Sequence, residues 1–235
     1  MRHAKNKDML ERAAFLCYNQ RQEIIRTVLL TKGLCMSIAI KFCGGAGTVT
    51  GSMHWVTAEK TNVLLDCGLF YGHRDEYYEV NSHFSFNPAG LDACILSHAH
   101  IDHCGNIPTL VKKGFRSSIY CTPPTRDLCR YMIADSGYVQ EEDIKYVNKM
   151  NKRRGLPLRH PLYTKEDAAK SLKYFRAVEY HRHFSLKDID LTFYEAGHIL
   201  GSAVPVLDMH TSKGNIRLAY AVDLGRKDIP LLRDP

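Results

Sequence analysis

The segment Ser97–His103 carries three histidines and one carboxylate within six residues, and it follows a short apolar run. In an extended chain, residues two apart share a face, so His98 and His100 can bind one metal ion together. Asp102 and His103 lie further along the segment and can reach a second ion. Imidazole nitrogens and carboxylate oxygens are the ligands that zinc accepts in catalytic sites. The segment therefore predicts a metal centre rather than a solvated, histidine-rich loop.

Two further residues could complete this centre, and each follows an apolar run that predicts a strand. His198 stands in Glu-Ala-Gly-His-Ile-Leu-Gly-Ser-Ala, and Asp223 stands in Ala-Val-Asp-Leu-Gly-Arg. A single histidine is more often a core or surface residue than a ligand. Because both residues follow strands, as the first segment does, we expect all three segments to meet at one edge of a sheet.

The elements that must position these residues alternate between strands and helices, which indicates an α/β domain. Short apolar or alternating runs predict the strands. These are Ile38–Cys43, His54–Ala58, Asn62–Asp66, Ala93–Leu96, Ser118–Cys121, Ile189–Tyr194, Ala203–Leu207 and Ile216–Val222.

Helices are predicted over Gly105–Lys113 and within residues 122–174. Thr122 is a suitable N-cap because two prolines follow it, and Thr164 begins a further helix with Asp167 at the third position. We assign three tyrosines of this region to packing: Tyr131, Tyr138 and Tyr146.

Five separated motifs occur in order from about Met36 onward. They are Phe42–Ser52, Leu65–Phe70, His98–His103, His198–Ala203 and Asp223–Arg226. The H-x-H-x-D-H segment with a later histidine and aspartate resembles the metallo-β-lactamase superfamily. The glycine-rich first motif and the other motifs resemble its β-CASP branch. These are RNA-processing metallo-hydrolases of the bacterial and archaeal type, similar to the cleavage-and-polyadenylation endonuclease and ribonuclease J. The resemblance implies an αββα sandwich.

The resemblance also implies two zinc ions. The first would be held by His98, His100 and His198. The second would be held by Asp102 and His103, with Asp223 bridging both ions. A pair of ions about 3.5–4 Å apart can deliver hydroxide and stabilise an in-line attack at phosphorus. The implied activity is hydrolysis of phosphodiester bonds in single-stranded RNA, of the endoribonuclease type.

The resemblance implies that Asp66 orients the ligands without binding the metal itself. Ligating histidines commonly need such a partner. We place Asp66 with Asp102 and His103 among the residues that take part in catalysis. Hydroxyl groups of the first motif could also contact the substrate; they belong to Thr48, Thr50 and Ser52.

The pattern of the β-CASP branch continues past the Asp223 motif with a glutamate motif, a cap domain and two further histidines. One of those histidines completes the second zinc site. We therefore expect residues 36–235 to be the N-terminal part of a metallo-β-lactamase domain, without its second half and without the cap. Residues 1–35 hold seven Lys/Arg and three acidic residues and are expected to be a basic extension, helical or disordered.

The composition of the chain limits the classes of protein to which it can belong. Hydrophobic residues make up 45% and charged residues 24% of the 235 residues, as in ordinary globular proteins. The formal net charge of +7 is compatible with a nucleic-acid partner. No apolar run is long enough for a transmembrane helix, so no membrane association is expected. The eight cysteines form no C-x-x-C pair and are expected to be reduced in a cytoplasmic protein.

Two other functions stay open on the sequence. The H-x-H-x-D-H core also suits a thioesterase or lactonase that acts on small molecules. Alternatively, the chain could be an inactive metal-binding scaffold that needs a partner subunit or a second copy of itself. The glycine-rich loop and the Gly-Ser-Ala after His198 favour the nuclease.

Overall fold

The computed structural model describes residues 38–212 and 214–235, where strands and helices alternate. The strands are β1 (Ile38–Gly44), β2 (Met53–Ala58), β3 (Thr61–Leu65), β4 (Ala93–Ile95), β5 (Ser118–Cys121), β6 (Phe175–Ala177), β7 (Phe184–Leu186), β8 (Ile189–Glu195), β9 (Ala203–Thr211) and β10 (Gly214–Ala219). The α-helices are α1 (Arg74–Ser82), α2 (Ile101–Cys104), α3 (Ile107–Lys112), α4 (Pro123–Arg154) and α5 (Lys165–Ser171). The expected extension at residues 1–35 and the domain start at Met36 lie outside the described residues.

The strands form two sheets. Sheet A has the order β1-β2-β3-β4-β5-β6, and sheet B has the order β10-β9-β8-β7. In sheet A, β3, β4, β5 and β6 are parallel, and the remaining neighbours in both sheets are antiparallel. Because β3 and β4 are parallel, the chain leaves both strands at the same edge of the sheet.

The central strands of sheet A are buried on both faces, which explains their nearly continuous apolar sequences. Leu64 packs into the core shared with the helices, whereas Val63 and Leu65 pack into the core shared with sheet B. The same alternation places Cys94 on the helical side and Ile95 on the side of sheet B. Sheet A is therefore the middle layer.

Sheet B has one buried face. Along β9, Leu207 and Met209 are buried against sheet A, and Asp208 and His210 point away from it. This period of two is typical of a strand with one open face. The described residues thus form a helix layer, sheet A and sheet B, in agreement with the mixed α/β sandwich that the resemblance implies. A further helix layer stays a prediction.

The cap residues fix the two main helices as the sequence predicts. Thr122 accepts a hydrogen bond from the backbone N–H of Thr125 at the start of α4, and Gly155 ends this helix in the left-handed conformation. Thr164 and Asp167 form the reciprocal capping box of α5. However, the assignment of three tyrosines to packing is wrong. Tyr131, Tyr138 and Tyr146 lie on the solvent side of α4.

The predicted helix over Gly105–Lys113 is also corrected. Helix α2 begins earlier, because the N–H groups of His103 and Cys104 both bond to the carbonyl oxygen of His100. A second helix, α3, follows after a break, with Pro108 in its first turn, where a missing N–H costs nothing. Asp102 and His103 therefore stand on a helical turn and not on an extended segment.

Other expectations concern the environment of the chain. None of the described helices combines the length and the apolar character needed to cross a bilayer. The six cysteines among the described residues are free thiols, and all of them except the half-buried Cys43 are buried.

Replacing Leu64 by alanine tests the double-sided burial of β3. Leu64 is fully buried, so the Leu64→Ala variant should lose about 2–5 kcal/mol of unfolding free energy through lost burial and a residual cavity. The control Leu158→Ala removes a side chain that is 61% exposed and should change stability by less than about 0.5 kcal/mol. Urea unfolding measures both. Equal small losses would contradict the packing.

Candidate metal centre

Four chain segments bring the predicted metal ligands to one edge of the two sheets. His98 and His100 lie between β4 and α2, and α2 itself carries Asp102 and His103. The other two lie in loops that follow strands of sheet B, His198 after β8 and Asp223 after β10. The backbone N–H of Ala203 donates to the carbonyl oxygen of Ser97 (2.9 Å), which joins the edges of the two sheets.

Three imidazoles and one carboxylate form the tightest group. His100 Nδ1 lies 3.1 Å from His98 Nε2 and 3.2 Å from His198 Nε2. Asp223 Oδ2 lies 3.5 Å from His98 Nε2 and 3.3 Å from His198 Nε2. All four ligand atoms lie within 4.8 Å of one another.

Asp102 and His103 extend this group on one side. His103 Nε2 lies 3.6 Å from Asp223 Oδ2 and 3.7 Å from Asp102 Oδ2. Asp223 therefore stands between the two sets of ligands. The structure brings together all six residues that the sequence nominates for metal binding.

Four of the six distances between the donor atoms of this group fit zinc. Ligands at about 2.0–2.1 Å from a tetrahedral zinc ion are about 3.3–3.4 Å apart. The four contacts of the tight group, between 3.1 and 3.5 Å, cluster around this length. The donor set is also suitable, because neutral imidazoles and a carboxylate are common zinc ligands.

Asp66 holds the histidines from below. The carboxylate accepts hydrogen bonds from the Ser97 backbone N–H (2.7 Å), from Ser97 Oγ (2.8 Å) and from His103 Nδ1 (2.7 Å). Ser97 Oγ in turn accepts from His98 Nδ1 (2.9 Å). Each of these two histidines therefore carries its proton on Nδ1 and presents the lone pair of Nε2 to the centre.

Tyr220 completes the bonding of Asp66. Its hydroxyl donates to Asp66 Oδ2 (3.1 Å) and accepts from Ser52 Oγ (2.8 Å) and His54 Nδ1 (3.0 Å). One hydroxyl donor and two lone pairs are all used in this arrangement. Tyr220 thus links the glycine-rich loop to the carboxylate that orients the ligands.

Burial and charge determine the protonation of these groups. Burial, aided by the neighbouring histidines, lowers the pKa of His98 to about 2, so its imidazole is neutral. Burial also lowers the pKa of His54 to about 4. Burial opposes the charged form of His103 too, but its hydrogen bond to Asp66 and the nearby carboxylates outweigh burial and raise its pKa.

Two glycines allow backbone segments to approach the ligands. A Cβ atom on Gly68 would lie 1.6 Å from the carbonyl oxygen of Asp102, so only glycine fits beneath α2. A Cβ atom on Gly225 would lie 1.7 Å from the carbonyl oxygen of Gly197, next to His198. These contacts fix two ligand-bearing segments.

The three hydroxyl residues proposed for substrate contact occupy different environments. Thr48 is exposed at the tip of the glycine-rich loop. Thr50 Oγ1 accepts from the backbone N–H of Tyr71 (2.9 Å). Ser52 is buried and bonds to Tyr220. A contact between these residues and substrate stays a prediction.

Sequence reasoning missed Tyr220 and the relay through Ser97. Tyr220 belongs to an apolar run and has no spacing relative to the histidines that would mark it. Ser97 adjoins the H-x-H segment, but its link to Asp66 spans 31 positions and appears only in three dimensions.

A metallo-beta-lactamase superfamily domain matches residues 55–228 of this sequence. The chain belongs to the metallo-β-lactamase superfamily. The resemblance drawn from the five motifs is therefore confirmed at the level of the superfamily. The fold of this superfamily binds divalent metal ions, typically zinc, and the His/Asp cluster lies where such ions would bind.

Curated relatives narrow the comparison. The chain is 35% identical to Ribonuclease TTHA0252 of Thermus thermophilus over 82% of this chain and 39% of the relative. It is 35% identical to Transcription termination factor FttA of Methanocaldococcus jannaschii, over 80% of this chain and 27% of the relative. It is 26% identical to Endoribonuclease YSH1 of Eremothecium gossypii, over 78% of this chain and 22% of the relative. The chain thus spans less than half the length of these relatives.

Removing the Tyr220 hydroxyl tests whether its hydrogen bond to Asp66 helps to orient the metal ligands. The Tyr220→Phe variant keeps the ring but leaves Ser52 and His54 without their acceptor. We expect a loss of about 1–3 kcal/mol in stability and ~10–100-fold weaker zinc binding. Competition with a chromogenic chelator measures the affinity. Tyr131→Phe, at a ring that is 74% exposed, is the control. Unchanged affinity in Tyr220→Phe would contradict the role of this hydroxyl.

Adding one methyl group at Gly68 tests whether the close contact between Gly68 and α2 positions the metal ligands. The Gly68→Ala variant must move the backbone of Asp102 and His103, so zinc binding should weaken by at least about tenfold. Gly90→Ala is the matched control, since a Cβ atom there meets nothing within 4 Å. Circular dichroism distinguishes lost ligand geometry from unfolding. Normal zinc binding by Gly68→Ala would show that the contact does not position the ligands.

Proposed function

We propose that this chain carries the metal centre of a zinc-dependent endoribonuclease that hydrolyses phosphodiester bonds in single-stranded RNA. One observation carries the proposal. Six histidine and aspartate side chains that could bind metal ions converge at the edge of two sheets. The relatives of this chain include proteins named ribonuclease and endoribonuclease.

Two zinc ions are proposed. The first would be held by His98, His100, His198 and Asp223. The second would be held by Asp102, His103 and Asp223. When bound, such ions activate water at neutral pH and stabilise the charge that develops on a phosphoryl group. Zinc is the default ion for this ligand set, and manganese or iron could occupy the same ligands.

The protein's own residues would act mainly by orientation. Asp66 holds the Nδ1 proton of His103 directly and that of His98 through Ser97. Both imidazoles thus offer Nε2 without a tautomeric shift. Because Asp66 is fully buried, water does not compete for its oxygens, and the ligands are held in place before any ion or substrate arrives.

The remaining expectations extend the proposal. RNA is the proposed partner of the centre, and the cytoplasm is the proposed compartment. Pairing with a second copy or with another subunit stays a prediction.

Cleavage of unstructured RNA tests the proposed function. The zinc-loaded chain should cut a fluorogenic single-stranded RNA, and a chelator should stop the reaction reversibly. His100→Ala should lower the rate by at least about 100-fold, because even losing a ligand's supporting partner costs ~10–100-fold. His210→Ala is the control, since His210 lies near the opposite end of β9 from Ala203.

A thioester and a lactone serve as competing substrates in the same assay. Their zinc-dependent turnover without any RNA cleavage would contradict the proposal and favour a small-molecule hydrolase. Tight zinc binding without turnover of any of these substrates would favour the scaffold instead.

A further inference from the structure

A cavity of about 470 Å³ lies between α1, α4 and residues 159–162. This volume lies in the range of about 300–1,000 Å³ that is typical of small-molecule sites. Ile101, which lies between the proposed ligands His100 and Asp102, forms part of the wall. The cavity is therefore continuous with the segment that carries the metal centre.

Aromatic rings line part of the cavity. Tyr71 and Tyr77 lie with their ring centroids 6.0 Å apart and their planes tilted by 39°. Tyr71 is 54% exposed and is therefore accessible to a ligand. Its backbone N–H is held by Thr50 in the glycine-rich loop (2.9 Å).

Acceptor groups line the part of the cavity that α4 provides. Asp135 and Asp143 contribute two carboxylates to the wall, and Arg159 contributes one cation. The net charge of the wall is therefore negative. A phosphate group would be repelled, whereas a flat ligand with N–H donors would find acceptors.

Gln140 adds an adaptable acceptor. Its side chain lines the cavity, and its carbonyl oxygen Oε1 has no hydrogen-bond partner among the described residues. The amide nitrogen makes only a long contact to Ser136 Oγ (3.4 Å). Oε1 itself is buried, so it meets a donor on a ligand only when the terminal torsion of Gln140, which is broad, turns the amide into the cavity.

We propose that this cavity is a subsite for one nucleobase of the RNA, stacked on Tyr71 and selected for an exocyclic amino group. This inference rests on the proposed function, because it assigns the cavity to the same substrate. Adenine, cytosine and guanine carry such an amino group, and uracil does not. The negative wall keeps the phosphodiester outside the cavity, where the adjoining metal centre would meet it.

Matched nucleosides test the subsite without requiring catalysis. Binding to the full chain is measured by NMR titration with adenosine and with purine riboside, which lacks only the 6-amino group. Guanosine and inosine form a second pair that differs only in the 2-amino group. We expect adenosine and guanosine to bind more tightly than their partners. Equal affinities within both pairs would overturn the inference. A lysine-containing peptide, tested as a cationic alternative, would also overturn it by binding to the cavity when none of the nucleosides binds.

Variants identify the surface that binds. Tyr71→Ala should weaken adenosine binding by roughly tenfold or more, in line with the loss of one aromatic stack, whereas Tyr71→Phe should retain it. Tyr138→Ala is the matched control, because Tyr138 lies on α4 outside the cavity and is 53% exposed. Gln140→Leu should remove the preference for adenosine over purine riboside. Unchanged binding in Tyr71→Ala would overturn the inference.

The two proposals can fail separately. If the wild-type chain cleaves RNA but does not distinguish the paired nucleosides, the subsite is wrong and the proposed function stands. If the chain shows the expected nucleoside preferences but cleaves no RNA, the subsite is supported and the proposed function fails. Zinc content, measured on every variant, shows whether the metal centre is intact.

Discussion

The buried carboxylate of Asp66 holds together the segments on which the rest of the site depends. Placing an ionised group in a fully buried position is costly unless hydrogen bonds compensate for the lost water. Here the donors come from Ser97, His103 and Tyr220, that is, from the loop after β4, from α2 and from the segment after β10. The requirement to satisfy one carboxylate therefore fixes elements from both sheets relative to one another.

The backbone around Asp66 shows the same constraint. Asp66 has a φ of 57°, in the left-handed region that few residues other than glycine adopt. This turn lets the chain leave β3 and run beneath α2, where Gly68 makes its close approach. The strained conformation persists because the hydrogen bonds over-determine it, a pattern that is common at functional sites. Orientation of the histidines is thus a property of the fold and precedes any metal ion.

Much of this organisation could be predicted from the sequence. Apolar runs located most strands within one or two residues, because β3, β4 and β8 lie in cores that tolerate few polar side chains. The caps of α4 and α5 were predictable because Thr122 and Thr164 act on backbone groups only three residues away. The H-x-H-x-D-H segment marked the metal centre because its donors lie close together in the sequence.

The errors and omissions have physical causes. The start of α2 depends on His100 as its cap and on packing over Gly68, and neither effect has a local pattern. Tyr131, Tyr138 and Tyr146 were assigned to packing, but the buried stripe of α4 runs through Thr125, Cys129, Ile133 and Gln140 instead. Tyr220 was not recognised because its three partners are more than 150 positions away in the sequence. Long-range hydrogen bonds of this kind produce no periodic pattern in the sequence.

Anomalous diffraction at the zinc edge, from crystals of the zinc-loaded chain, tests directly whether these side chains form a metal centre. We expect a peak bounded by His98, His100, His198 and Asp223, with protein ligands at about 2.0–2.2 Å. We also expect Asp66 to keep its hydrogen bonds to Ser97 and His103 and not to touch the metal. Absence of a peak at this edge of the sheets, or a zinc ion bound directly by Asp66, would contradict the proposed centre.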